Sequence, residues 1–271
     1  MTPPPTPFHL LRCHQSPLSS LTFNPSNTLL YSADQAGYIS ITDLRTRRVI
    51  SYWKAHADGV LGVQEWDDRL IRSVHFSPYR SDKLMGEEGS HGRDNLIHLY
   101  HPYRPSVGNK EDHPKVEKSL DVNALNFCRF SLAEVPGKGK GKEKKALLAV
   151  PNLVNSELAD IHHLPSMKRL HSSINGSFTQ EIKSKRSGLI MSLHVAFLDG
   201  RLAIVMGFED GRVEMWTCST AEEGWSKAWD GRMSEKRRWK RVWEGKGHNE
   251  AGQLNLHAAA RGCCNDCKRL T

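Results

Sequence analysis

The 271 residues are 38% apolar and 25% charged, enough to bury a sizeable core and unlike the composition of a disordered chain. No stretch approaches the roughly eighteen consecutive apolar residues of a membrane-spanning helix, and Met1-Thr2-Pro3-Pro4-Pro5-Thr6-Pro7 lacks the charged-then-apolar layout of a secretory signal, so the expected compartment is intracellular. A formal net charge of +8 leaves acidic partners and nucleic acid open as ligands and makes the placement of that charge the question.

Residues 1–8 read as a Pro-rich lead-in, extended because each proline fixes its own φ and restricts the residue before it. A unit follows over 9–50. It has a turn at Cys13-His14, a first strand through Leu18, Leu21 and Phe23, and a second through Leu30-Tyr31-Ser32. A turn at Gly37 then leads to a third strand from Ile39 to Leu44. Within the strands the apolar residues alternate, so Leu21 and Phe23 share a face, as do Ile39 and Ile41. A His turn, a strand ending in Ser, a Gly turn and a third strand make one blade of a WD-type β-propeller. One blade cannot bury both of its faces, so the unit must recur.

It recurs over 51–101, where Val60 and Val63 stand at the same offsets from His56 as Leu18 and Leu21 from His14, and where Ser90, Asp94 and Tyr100 take the later positions. Between Val63 and Ser90 lie about sixteen residues more than between Leu21 and Ser32, after a strand that begins at Arg69-Leu70-Ile71. The excess, 72–89, contains Pro78, Gly86 and Gly89 and reads as a loop: either an insertion bulging from the blade or sequence normally removed from the transcript. Residues 102–114 read as a linker. A third unit, 115–165, is weak. Val122, Leu125 and Phe127 keep the first-strand spacing, 136–145 is a Lys/Gly loop, and Ala146 to Val150 reads as the second strand. The fourth, 186–246, is sharper: Ile190, Leu193 and Val195, then Leu202 to Met206, then Asp210-Gly211 before alternating Val213 and Met215, a strong hairpin signal. Arg241-Val242-Trp243 supplies its outer strand. Gly247-His248 opens a fifth unit that does not continue, since Gly252 and Asn255 hold the positions that should be apolar, and 252–271 is a divergent tail. The expected fold is all-β, an incomplete WD-repeat propeller over 9–251 with about four blades and the start of a fifth.

In such blades the turn His, the second-strand Ser or Thr, the turn Asp and the third-strand Trp can join in a buried hydrogen-bonded chain, which is favourable only when most members are satisfied. The candidates are His14 and Ser32 in blade one, with Ala36 and Thr42 at the other two positions; His56, Ser90, Asp94 and Tyr100 in blade two; and Asp210 and Trp216 in blade four, with Met206 and Arg186 in place of Ser and His. The blades are therefore degenerate and held mainly by packing. No phosphate-binding loop, nucleophile elbow or His-Glu-x-x-His motif is present, so neither catalysis nor a cofactor is expected. The six cysteines, three scattered and three crowded in the tail, read as reduced thiols rather than a disulfide framework. Cys264 and Cys267, with Cys263 and His257 nearby, have the spacing of half a zinc site but lack a second ligand pair. Lys138, Lys140 and Lys142, and Lys236, Arg237, Arg238, Lys240 and Arg241 around Trp239, read as solvated loop or strand faces; their other reading is contact with nucleic acid, the Trp stacking on bases, or a nuclear import signal.

Several runs resemble one family. Leu10-Leu11-Arg12-Cys13-His14 through Thr42-Asp43-Leu44, Trp53 to Val63, His91-Gly92-Arg93-Asp94-Asn95, and Trp243 to Glu250 are similar to the fungal ASTRA-associated protein 1 family of WD-repeat proteins. The resemblance implies a full propeller, usually of seven blades, in a non-enzymatic subunit of the nuclear ASTRA assembly. That assembly is tied to chromatin remodelling and to maturation of phosphatidylinositol-3-kinase-like kinases, so the implied partners are protein subunits and the implied compartment is the nucleus. The chain departs from the family in holding about four blades and in 72–89 and 252–271. The alternative function is a basic nucleic-acid-binding protein. An arc of blades with open strand edges is also expected to be poorly soluble or to pair with another chain.

Overall fold

The computed structural model describes residues 6, 8–74, 95–102, 113–123, 128–136, 144–175, 188–218 and 239–246. Among them there are no helices. Sixteen strands form four antiparallel four-stranded sheets, each made of consecutive strands in chain order. The first holds β1 (Leu18–Phe23), β2 (Leu29–Asp34), β3 (Tyr38–Asp43) and β4 (Arg48–Lys54). The second holds β5 (Val60–Trp66), β6 (Arg69–Val74), β7 (Leu96–Tyr100) and β8 (Val116–Asp121). The third holds β9 (Ser131–Glu134), β10 (Ala146–Pro151), β11 (Ala159–Leu164) and β12 (Arg169–Ile174), and the fourth β13 (Ile190–Leu198), β14 (Arg201–Phe208), β15 (Arg212–Cys218) and β16 (Trp239–Lys246). Consecutive four-stranded antiparallel meanders of this kind are the blade architecture of a β-propeller.

The chain divides into two compact units, Met1–Ser119 and Leu120–Thr271. In the first, Tyr31, Ala33, Ile39, Ile41, Ile50 and Trp53 of the first sheet pack on Val60, Val63, Leu70 and Tyr100 of the second. In the second, Leu147, Ala149, Ala159, Ile161 and Ile174 pack on Ile190, Leu193, Val195, Ile204, Met206 and Phe208. Period-two alternation places each set on one face, and each fully buried aliphatic or aromatic side chain contributes about 1.5–3 kcal/mol. A serine ties each pair of inner strands: Ser20 Oγ accepts the Val63 amide at 3.2 Å, and Ser131 Oγ accepts the Val195 amide at 3.0 Å.

The repeat extends to its irregularities. A β-bulge falls just after Leu18, Val60 and Ile190, the same place in three inner strands, and a second falls after Ile41 and Met215, leaving Ile50 and Val242 as the extra residues of β4 and β16. The β5–β6 hairpin turns through Asp67-Asp68 with φ of 52° and 57°, the left-handed pair that a two-residue hairpin requires.

The sheets partition the chain differently from the blade limits read in the sequence. β8 is the outer strand of the second sheet, although residues from 115 on read as the third blade. His101 N–H donates to the Lys115 carbonyl at 2.9 Å and Arg69 pairs with Glu117 at 3.3 Å, drawing β8 onto this sheet. The third sheet begins with the four-residue β9 rather than at 122–127; Val122 is buried but lies outside any strand, and Leu125 and Phe127 lie outside the described residues. β6 runs on through Arg72, Ser73 and Val74, so the excess expected at 72–89 falls between β6 and β7, whose register is set by Ile71 opposite Leu99 and Ser73 opposite Ile97. Most of that stretch, the core of the Lys/Gly loop, Gly247-His248 and the tail 252–271 lie outside the described residues.

Candidate interaction surface and the networks beneath it

Blade one carries a complete polar network. His14 Nδ1 donates to Asp34 Oδ2 at 2.8 Å, and its Nε2 lies 2.8 Å from Ser32 Oγ. Asp34 Oδ1 accepts the Ala36 and Tyr38 amides, each at 2.9 Å, which closes the turn before Gly37. Tyr52 meets the imidazole edge-on at 5.8 Å and stacks on Tyr38 at 5.0 Å; its hydroxyl titrates above the usual tyrosine range, through burial first and then the Asp34 charge. Sequence spacing puts the acid position at Ala36 and the covering position at Thr42. The acid is instead the last residue of β2, and the ring comes from β4, across the sheet. An Asp two residues past the strand Ser and three before a Gly was the available signal.

Blade two departs further. Within the register, the residue opposite Val63 is Arg72, where Leu21 faces Ser32 in blade one. Arg72 is buried, donates to the Ala55 carbonyl, and holds its guanidinium 5.7 Å from the Tyr100 ring. Burial raises the Tyr100 hydroxyl above its ordinary range, and the Arg72 charge opposes that shift. His56 engages the local turn, its Nδ1 accepting the Asp58 amide at 3.0 Å. Ser90 and Asp94 lie outside the described residues.

Blade three uses amides that sequence reasoning passed over. Asn123 Nδ2 donates to Ser156 Oγ at 2.7 Å, and Asn152 Nδ2 donates to both Asp160 oxygens at 3.0 Å. Asn152 Oδ1 accepts the Val154 and Asn155 amides at 3.0 and 2.9 Å. This braced turn holds Leu153 and Val154 outward, Val154 being 90% exposed. Strand β11 carries His162, whose burial pushes its pKa below 6.5, against weaker opposition from the Met167 carbonyl and Asp160. The unfolded chain then binds more protons than the folded one below that value, so the second unit should lose stability as pH falls through 6.5 toward the depressed pKa. Denaturant titrations across this range should show a steeper decline for the parent chain than for His162→Gln, and equal slopes would refute the assignment.

In blade four, Asp210 and Trp216 do not share the WD-type network. Asp210 accepts the Arg212 amide at 3.0 Å and pairs with its Nε at 2.6 Å, while Trp216 Nε1 donates to the buried Glu214 at 2.8 Å. Arg241 pairs with Glu214 at 3.1 Å and Glu244 at 2.8 Å. Residues two apart on a strand share a face, which makes a ladder of alternating charge across β15 and β16. The Arg241 cation is thus engaged internally, whereas Lys240 stands exposed opposite Thr217. Lys138, Lys140, Lys142, Lys236, Arg237 and Arg238 lie outside the described residues. Cys128 and Cys218 are buried reduced thiols, and burial pushes the Cys128 thiol well above its ordinary range.

Among the described residues, large apolar side chains that reach solvent include Leu18, Leu21 and Phe23 on β1, the Leu153-Val154 turn and Val242-Trp243 on β16, besides Phe8, Leu10, Leu11, Val116 and Leu198. Grouped apolar side chains of this kind are surfaces through which the described residues can engage another molecule.

No protein-family model matches the chain. It is similar to proteins named ASTRA-associated protein 1 in several fungi. That of Pyricularia oryzae is 32% identical over 211 residues, covering 77% of this chain and 42% of the relative. That of Aspergillus flavus is 30% identical over 278 residues, covering 92% and 62%, and that of Schizosaccharomyces pombe is 25% identical over 235, covering 79% and 60%. The chain therefore spans about half the length of the curated relatives it matches. Among solved structures it is similar to the β-propeller domain of Cps50 (Swd1) from Myceliophteria thermophila, with a TM-score of 0.45, 12% identity and coverage of 74% of this chain and 50% of that one. The RRP9 WD40 repeats give a TM-score of 0.45 at 14% identity, covering 76% and 50%.

Proposed function

We propose that this chain, which is similar to the fungal proteins named ASTRA-associated protein 1, acts as a non-catalytic docking subunit of the nuclear ASTRA assembly, serving chromatin regulation and the maturation of phosphatidylinositol-3-kinase-like kinases. The observation that carries the reading is the turn at Leu153-Val154. Two apolar side chains project from a backbone already fixed by Asn152, and Asn152 is itself held by Asp160. A fixed apolar projection loses little conformational entropy on binding, which is what a docking anchor needs. The Asp160 carboxylate also accepts the Ser173 amide at 2.8 Å and pairs with Arg169 at 3.3 Å, so the support beneath the turn runs across two strands.

The test is affinity purification of the tagged chain from fungal nuclear extract. The expected result is recovery of ASTRA subunits, falling at least tenfold for Val154→Asp, a change at an exposed site that should leave the fold's stability within about 0.5 kcal/mol of the parent. Recovery of none of these subunits by the parent chain would remove the reading, and equal recovery by the variant would remove the turn from it.

A further inference from the structure

The internal repeat gives a measure of which faces are built to be covered. On β5, Val60 and Val63 are 0% and 2% exposed, and on β13, Ile190, Leu193 and Val195 are 0%, 7% and 1%, because each set packs on the preceding blade of its unit. The register-equivalent residues of β1, Leu18, Leu21 and Phe23, are each 54% exposed. The opposite face of a blade shows the same contrast. Ile50, the bulged residue of β4, is 8% exposed beneath blade two, whereas its counterpart Val242 on β16 is 49% exposed beside Trp243 at 52%. Met215 and Val205, which correspond to the buried Ile41 and Tyr31, are half-buried on that same side of the fourth blade.

The chain thus carries both halves of a sheet-to-sheet interface it already builds within each unit, one half on blade one and the other on blade four. We propose that the Leu18/Leu21/Phe23 face of one copy docks on the Val205/Met215/Val242/Trp243 face of a second copy, head to tail. The argument for this occupant is continuity. The positions, bulges and side-chain character match those of the two interfaces inside the chain, and a second copy supplies the matching face without any new surface. Because the two faces differ, the contact is heterologous and can either close on itself or extend.

Sedimentation equilibrium of the 271-residue chain over a concentration series tests this. The expected result is a mass that rises above the monomer with concentration. Leu21→Glu spoils one face and Val242→Glu the other, and each variant alone should be monomeric. An equimolar mixture should recover a dimer that grows no further, since one intact pair of faces remains. A parent chain that stays monomeric, single variants that associate as the parent does, or a mixture that stays monomeric would each overturn the proposal; the first would leave these faces to further blades of a longer chain. Circular dichroism confirms folding, and Phe23→Ser with Trp243→Ser serves as a second pair should either glutamate disturb it.

Discussion

Gly37→Ala is expected to destabilise the first unit by about 3 kcal/mol or more, seen as a lowered midpoint in denaturant titration. Gly37 has φ of +88°, where an L side chain costs about 1–2 kcal/mol from local sterics alone. The larger part comes from crowding. A Cβ at this position would stand 2.2 Å from the His56 carbonyl oxygen and 2.6 Å from that of Asp58, and backbone cannot swing aside as a side-chain tip can. The carbonyl of Gly37 itself accepts the Ala55 and His56 amides at 2.9 and 3.1 Å, so displacement would loosen the junction between the first two blades. Gly200 is the control: its φ is +76° but nothing lies within 4 Å of an added Cβ, so alanine there should cost only the local term. If both variants lose the same stability, the close approach at Gly37 is not what the position is for.

Asp34→Ala should cost the first unit about 3–5 kcal/mol, the range for removing one partner from a buried pair. His14 and Asp34 side chains are 5% and 1% exposed, and the carboxylate serves the imidazole and two turn amides together. Truncation leaves three donors without an acceptor. Asp34→Asn retains an amide oxygen for the turn and should cost less, and Ser32→Ala, which removes a single hydroxyl, about 1 kcal/mol. A ranking with Asp34→Ala worst, Asp34→Asn intermediate and Ser32→Ala mildest is the signature of a network centred on the acid. A Ser32→Ala loss matching that of Asp34→Ala would place the centre elsewhere.

The strands of blades one and four were legible because both of their faces have a definite character: apolar residues at every second position, broken by Gly37 or by Asp210-Gly211. The outer strand β8 was not. Its residues are all exposed or half-buried, and an outer strand that buries little has no apolar rhythm to show. The four residues of β9 are too few for a period to register. The networks failed for a different reason. Their logic is a repeated geometry served by exchangeable chemistry, so Asp34 replaces an acid sought two residues later, Arg72 fills a place sought as Ser, and Asn123 and Asn152 do in blade three what a His and an Asp do in blade one. Residue identity at a fixed offset could not reveal these. Register across the sheet does.

The pairing of β6 with β7 closes over a connection of more than twenty residues, yet the ladder from Ile71 to Ser73 meets that from Ile97 to Leu99 without a slip. The entropy of closing a loop grows only with the logarithm of its length, so doubling the connection adds about 0.6 kcal/mol. The connection between these two strands is therefore one whose length costs the ladder little, and one into which an experimenter can graft an epitope or reporter while the paired strands keep their register.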